Sequence, residues 1–112
     1  MGQRSKTFFK QLPTVDDRIA IYFSRKDAEV LFFSTQYETY IEGKWVRVRR
    51  YDYSRSHKTP HVHVFHSVYD EFIEPFQCEN LNEGLTLAVR ILTENYTKFK
   101  HNYLTVKGRR GL

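Results

Sequence analysis

The sequence lacks several features that define whole classes of proteins. It has one cysteine, Cys78, among 112 residues, which excludes an internal disulfide framework and is typical of a reducing compartment. No apolar run approaches the roughly 18 residues that a membrane helix requires, and no signal peptide opens the chain. Internal repeats and low-complexity segments are absent as well. These absences predict one cytoplasmic domain, residues 1–112, that does not enter a membrane.

Aromatic residues and positive charge, in contrast, are abundant. Aromatics make up 16% of the chain, which favours a folded protein. The net charge of +5 predicts an anionic partner such as nucleic acid. The charge is segregated, since residues 44–58 carry six basic groups and one acid, whereas residues 70–94 carry six acids and one arginine. Four of the five histidines also lie between residues 57 and 66. We therefore expect function to reside in this basic, histidine-rich stretch.

Alternation of apolar and polar side chains predicts strands. Residues 18–24 alternate in this way. Residues 30–41 are rich in phenylalanine, threonine and tyrosine, which suit a pleated surface, and predict a longer strand. Glu42 and Gly43 then separate two extended runs by two residues, a spacing typical of a β-hairpin. That turn sets Glu38 opposite Arg47 and Gln36 opposite Arg49. It predicts an aliphatic core face, and an open face that carries Phe32, Tyr40, Trp45, Arg47, Arg49, Tyr51 and Tyr53.

The histidine-bearing segment, residues 61–66, predicts the next strand. We expect Val62 and Val64 to point into the core, which places His61, His63 and Phe65 on the open face with the arginines. A change of phase by one residue would reverse all of them. Residues 69–76 predict a weak final strand, which Pro75 confines to the edge of the sheet.

A long helix is the clearest local element. Asn80 and Glu83 resemble a capping box, and the following apolar residues recur every three or four positions over about six turns. This stripe comprises Leu81, Leu85, Ala88, Val89, Leu92, Tyr96, Phe99 and Tyr103. The expected fold is α+β, an antiparallel meander of four to five strands covered on one face by this C-terminal helix. Residues 1–15 are expected to be a loose basic arm, and residues 107–112 a basic tail.

The run YETYIEGKWVRVRRYDYSRSHKTPHVHVF and the helix LNEGLTLAVRILTENY resemble a family of small uncharacterised bacterial and archaeal proteins. The resemblance covers residues 30–103, and the matching positions are Arg50, Tyr51, Asp52, His57 and His61. The Arg-Tyr-Asp triplet and the histidine-rich strand are also similar, more loosely, to the TumE-type toxins of toxin–antitoxin pairs. This second resemblance implies an RNA-directed toxin with an antitoxin protein as partner.

These residue types suit metal-independent RNA cleavage. His61 and His63 are candidates for general base and acid, because histidine titrates near neutrality. Arg47 and Arg49 are candidates for binding phosphate beside Tyr51, together with Arg55 and Lys58 of the following loop. Arg50 and Asp52 are expected on the opposite face, as a partly buried ion pair that orients the His57 loop. These residues and the resemblance lead to the hypothesis of an RNA-directed protein without a cofactor, in the form of an endoribonuclease toxin.

Three alternatives stay open at this point. The protein could be a binding module for nucleic acid or protein without chemistry, and it could form a homo-oligomer. The histidines could instead be structural. A metal site is a further alternative, since His57, His61, His63 and His66 with Asp52 supply enough ligands. The chain has no strong zinc spacing, however, and its single cysteine is distant in sequence.

Overall fold

A computed structural model describes residues 2–54, 59–67 and 70–110, and the side chains as far as residue 105. The described part of the chain forms one antiparallel sheet of six strands in sequential order, followed by one helix. The elements are β1 (Arg4–Gln11), β2 (Asp17–Lys26), β3 (Glu29–Ile41), β4 (Lys44–Tyr53), β5 (His61–Ser67), β6 (Asp70–Pro75) and α1 (Leu81–Arg110). The predicted α+β architecture is confirmed, with one strand more than the upper expectation.

The additional strand lies at the N-terminus. The sequence predicts a loose arm for residues 1–15, whereas Arg4–Gln11 pairs along its whole length with β2. Every side chain of this strand is exposed. The apolar/polar alternation that reveals a half-buried strand is absent, and the strand is defined by its backbone pairing with β2.

The turn between β3 and β4 has the predicted two residues. Glu42 and Gly43 have φ angles of 51° and 81°, which is the backbone of a type I′ hairpin. The predicted register holds from Ile41 opposite Lys44 as far as Glu38 opposite Arg47. It then shifts, because Arg49 rather than Val48 faces Tyr37.

Val48 is therefore the extra residue of a β-bulge, and the bulge corrects the predicted faces. Two residues of β4 oppose one residue of β3, so every side chain of β4 after the bulge lies on the face opposite to the predicted one. Arg49 and Tyr51, expected on the open face, lie on the helix side, as does Tyr53. Arg50 and Asp52, expected on the core side, lie on the open face opposite Gln36 and Ser34.

Strand β5 has the predicted phase. Val62 is 3% exposed and Val64 packs partly buried against the core, so both point toward the helix. His61 lies opposite Asp52 and His63 opposite Arg50, which puts both histidines on the open face. The described ladder between β4 and β5 covers only Arg49–Asp52, so the first half of β4 extends beyond it.

Helix α1 covers one face of the sheet. Its N-terminus is capped as predicted, since the backbone N–H of Glu83 donates to Asn80 Oδ1 at 2.8 Å. The Glu83 carboxylate in turn accepts from the backbone N–H of Glu79 at 3.0 Å. The apolar stripe packs on the sheet as expected, and Ala88, Leu92, Tyr96 and Tyr103 are buried. The helix is longer than expected, about eight turns, because it continues to Arg110.

A buried carboxylate also joins the helix to the sheet. Asp17, which is 1% exposed, accepts a hydrogen bond from the Tyr37 hydroxyl at 2.5 Å and another from Thr14. Lys100 of α1 lies 3.5 Å from the same carboxylate. Burial alone would raise the pKa of Asp17, but these hydrogen bonds and the lysine charge hold it below its ordinary value. Within the described ranges, no helix is both long and apolar enough to cross a membrane.

Candidate functional site

A chain of polar contacts crosses the open face of the sheet. It begins with the Arg18–Glu38 ion pair at 2.8 Å and continues through Gln36, which donates to Glu38 at 2.6 Å and accepts from Arg50 at 3.4 Å. Arg50 and Asp52 form the predicted ion pair at 2.9 Å. We call this chain, which extends through His63 to Glu71 of β6, the polar network.

His63 lies in the middle of the polar network and is only 6% exposed. Its Nε2 is 3.2 Å from Asp52 Oδ1, and its Nδ1 is 3.1 Å from Glu71 Oε2. Neutral imidazole has one N–H and can donate to one of these carboxylates, whereas imidazolium donates to both. Both ring nitrogens are therefore engaged within the protein, in a position that solvent scarcely reaches.

Phe65 is buried on the same face although no helix covers it there. It is 2% exposed, and the guanidinium of Arg47 lies 4.2 Å from its ring centroid. Arg50 approaches the ring at 5.5 Å, and the His63 imidazole stacks against it with centroids 6.2 Å apart. The guanidinium groups of two long arginine side chains and the imidazole thus shield this ring from water.

A second group of rings and cations lies beside the β3–β4 hairpin. The Arg18 guanidinium lies between the rings of Phe9 at 4.1 Å and Trp45 at 3.9 Å. Tyr40 contacts Trp45 edge to face with centroids 5.3 Å apart. Because Arg18 also pairs with Glu38, its charge is already balanced within the protein.

Two adjoining clefts lie where the described β4–β5 ladder ends, one on each side of the bulge. The larger, of about 310 Å³, is lined by Gln36, Glu38, Lys44, Trp45, Val46, Arg47 and Tyr103. The smaller, of about 160 Å³, is lined by Val48, Arg49, Val64, Phe65, His66, Phe99, Asn102 and Tyr103. Tyr103 contributes to both. We call the two together the bulge cleft.

Positive charge predominates in the bulge cleft. Lys44, Arg47 and Arg49 line it, whereas Glu38 is its one acid among the described lining residues and is bound by Arg18. The Arg49 guanidinium lies 4.2 Å from the Phe99 ring, and its Nε donates to the Tyr51 hydroxyl at 3.0 Å. Burial raises the pKa of Tyr103, which therefore remains a neutral hydroxyl at physiological pH.

Comparison with known proteins identifies a family for the chain. The family described as Domain of unknown function (DUF7718) matches residues 2–109. The chain belongs to this family. No curated protein and no solved structure matches it.

In this DUF7718 domain the predicted site residues separate into three environments. Arg50, Asp52 and His63 meet in the polar network, and His61 lies at the end of β5 opposite Asp52. Tyr51 is in the hydrophobic core, 3% exposed, and packs edge to face on Phe76. Arg47 and Arg49 flank the bulge cleft. The predictions for Arg55, His57 and Lys58 fall outside the described residues.

Sequence reasoning missed most of the bulge cleft. The sequence analysis gives Lys44 no binding role, names His66 only as a candidate metal ligand, and places Phe99 and Tyr103 only in the apolar stripe of the helix. The stripe that contains both rings does reveal the helix, but the cleft depends on where β5 stops pairing with β4. Among the described residues, no group of three or more histidine, cysteine, aspartate and glutamate side chains could hold a metal ion.

Proposed function

We propose that this DUF7718 domain binds single-stranded RNA in the bulge cleft. One observation carries the proposal: the bulge at Val48 directs Arg47 and Arg49 to opposite sides of β4, each over an aromatic ring, at the point where the described β4–β5 ladder ends. Lys44 and the exposed fraction of Trp45 extend the same surface toward the hairpin.

These side chains provide the two interactions that single strands require. A guanidinium that lies flat on a ring keeps its N–H donors at its edge, where they can bind a phosphate by two parallel hydrogen bonds. Trp45 and the neighbouring Tyr40, which is 43% exposed, offer ring surface for unpaired bases. Lys44 adds a further cation at the mouth of the larger cleft.

The charge distribution favours the cleft over the rest of the open face. Arg18 and Arg50 are both ion-paired, with Glu38 and Asp52. A phosphate that approached either arginine would compete with a carboxylate at 2.8 or 2.9 Å. Arg47 is exposed and contacts a ring, so its charge is better placed for an anionic ligand.

The proposal is limited to binding. A general base for cleavage needs an accessible ring nitrogen within hydrogen-bond reach of the ribose hydroxyl. His63 is buried and holds two carboxylates, which gives a catalytic role little support. The RNA-directed toxin with its antitoxin therefore stays a prediction from resemblance.

The test is a titration of fluorescently labelled single-stranded RNA against the parent protein and two charge-reversal variants. Lys44→Glu/Arg47→Glu alters the cleft, whereas Arg90→Glu/Lys98→Glu makes the same change in net charge on exposed positions of α1. We expect the first variant to weaken binding about tenfold or more and the second to weaken it far less.

Salt dependence and ligand choice complete this test. Binding through phosphates should weaken steeply as salt rises from low to physiological concentration. Equal loss of affinity in the two variants would show that binding depends on net charge alone, and would contradict the cleft as the binding site. Equal affinity for DNA of the same sequence would assign the cleft to single strands in general, and thereby replace RNA in the proposal.

A further inference from the structure

The two edges of the sheet carry opposite charge. Within the described part of the chain, β1 and β6 each pair with one neighbour only, so both present unpaired backbone groups on their outer side. β1 carries three basic residues and no acid, whereas β6 carries three acids and no base. The basic residues are Arg4, Lys6 and Lys10, and the acids are Asp70, Glu71 and Glu74.

Both edges also expose large apolar side chains. Phe8 and Phe9 of β1 are 39% and 58% exposed, and Phe72 and Ile73 of β6 are 54% and 48% exposed. Charged side chains normally prevent edge strands from associating. Here, repulsion between like charges opposes the pairing of β1 with β1 and of β6 with β6. Attraction between opposite charges favours the pairing of β1 with β6. We propose that copies of this protein associate head to tail, with β1 of one copy adding antiparallel to β6 of the next.

The direction of the strands permits this continuation. Because six antiparallel strands follow one another in order, β1 and β6 run in opposite directions. A second copy placed beside the first in the same orientation therefore brings its β1 antiparallel to β6. Helix α1 then lies on the same side of the sheet in both copies.

The backbone hydrogen bonds determine which residues can pair. Leu12 N–H donates to Asp17, in register with the β1–β2 ladder, so the even-numbered residues of β1 bond to β2 and the odd-numbered ones face outward. Phe76 N–H donates to Pro60, in register with the β5–β6 ladder, so the even-numbered residues of β6 bond to β5. The outward residues are Ser5, Thr7, Phe9 and Gln11 on β1, and Glu71 and Ile73 on β6.

One register pairs these outward backbone groups by hydrogen bonds and also places opposite charges across from each other. It pairs Thr7 with Ile73 and Phe9 with Glu71 through backbone hydrogen bonds. The intervening pairs, where cross-strand side chains approach most closely, are Lys6 with Glu74, Phe8 with Phe72, and Lys10 with Asp70. Sliding either strand by two residues leaves at most one pair of opposite charges.

All three intervening pairs lie on the helix side of the sheet. Lys10 Nζ donates to Thr93 of α1 at 3.1 Å, which fixes the side on which Lys6, Phe8 and Lys10 lie. Phe72 pairs with Val64, a residue of the helix side, so Asp70, Phe72 and Glu74 share that side. The proposed contact therefore consists of one aromatic pair with an ion pair on each side of it, and all three pairs lie on the same surface. It uses different strands from the bulge cleft and does not depend on RNA binding.

An exchange of charge across the proposed contact tests it. Lys6→Glu and Glu74→Lys each change one exposed edge residue and place like charges opposite each other. We expect the nucleic-acid-free parent to increase in mass with concentration in sedimentation equilibrium, and each single variant to require at least several-fold more protein for the same association.

The combined variant separates pairing from general charge effects. Lys6→Glu/Glu74→Lys in one chain restores an opposite-charge pair, as does an equimolar mixture of the two single variants. Both should recover the association of the parent, while circular dichroism shows an unchanged fold. A parent that stays monomeric at high concentration would overturn the inference, and so would single variants that associate as the parent does.

A backbone variant gives an independent test. Thr7→Pro removes an N–H that faces outward, while the β1–β2 ladder keeps its own hydrogen bonds. We expect this variant to fold and to remain monomeric. Association at the parental level in the folded variant would contradict a contact through the outer edge of β1.

Discussion

The two faces of the sheet bury aromatic rings by different means. Phe33, 1% exposed, lies beneath α1, so close that a Cβ atom on Gly84 would be 3.3 Å from its ring. Phe65, 2% exposed, lies on the opposite face beneath Arg47 and beside His63. The helix face excludes water with a rigid element, whereas the open face does so with long charged side chains. Equal burial therefore does not imply equal resistance to change.

The largest expected effect compares these two rings directly. Phe33→Ala leaves a cavity between sheet and helix and should lower the free energy of unfolding by about 3–5 kcal/mol. Phe65→Ala should cost roughly half as much, because Arg47 and water can occupy the space. Urea denaturation of both variants measures the difference. Equal losses would mean that the charged cover is as rigid as the helix.

The same contrast explains what the sequence could predict. Alternation and the apolar stripe of α1 predict the covered face well, because burial against a helix selects aliphatic and aromatic residues at regular spacing. The predicted phase puts the apolar ring of Phe65 on the open face, and sequence alone does not reveal that Arg47 covers it there. Its predicted phase was nevertheless correct.

The bulge at Val48 is a feature that the sequence pattern does not predict. Val48 fits an alternating strand as well as it fits a bulge, and no glycine marks the position. The single extra residue moved Arg49 and Tyr51 to the helix side and Arg50 and Asp52 to the open face. The Arg50–Asp52 pair was predicted correctly, because residues two apart on a strand share a face in either register.

The second prediction concerns the buried carboxylate of the helix face. Asp17→Asn should lower the free energy of unfolding at neutral pH by about 1.5–3 kcal/mol, since Tyr37 and Thr14 then donate to an uncharged group. The pKa of Asp17 lies below its ordinary value of 3.8, so its contribution is complete above that pH and is lost as pH falls through the folded-state pKa.

The difference between parent and Asp17→Asn should therefore shrink in acid. Denaturation of both proteins from neutral pH down to about pH 2 measures this difference while titration of the other carboxylates cancels. A difference that stays constant over the whole range would show that the Asp17 charge does not stabilise the fold.

The smallest expected effect is on the open face. His63→Ala removes the link between Asp52 and Glu71, but Glu71 is 37% exposed and can be rehydrated. Arg50 also continues to neutralise Asp52. We expect a loss of about 1 kcal/mol, compared with almost none for His101→Ala, an exposed histidine of α1. RNA affinity should change little in either variant, because neither residue lines the bulge cleft. A His63→Ala protein that keeps its fold but loses RNA binding would move the functional site from the cleft to the polar network.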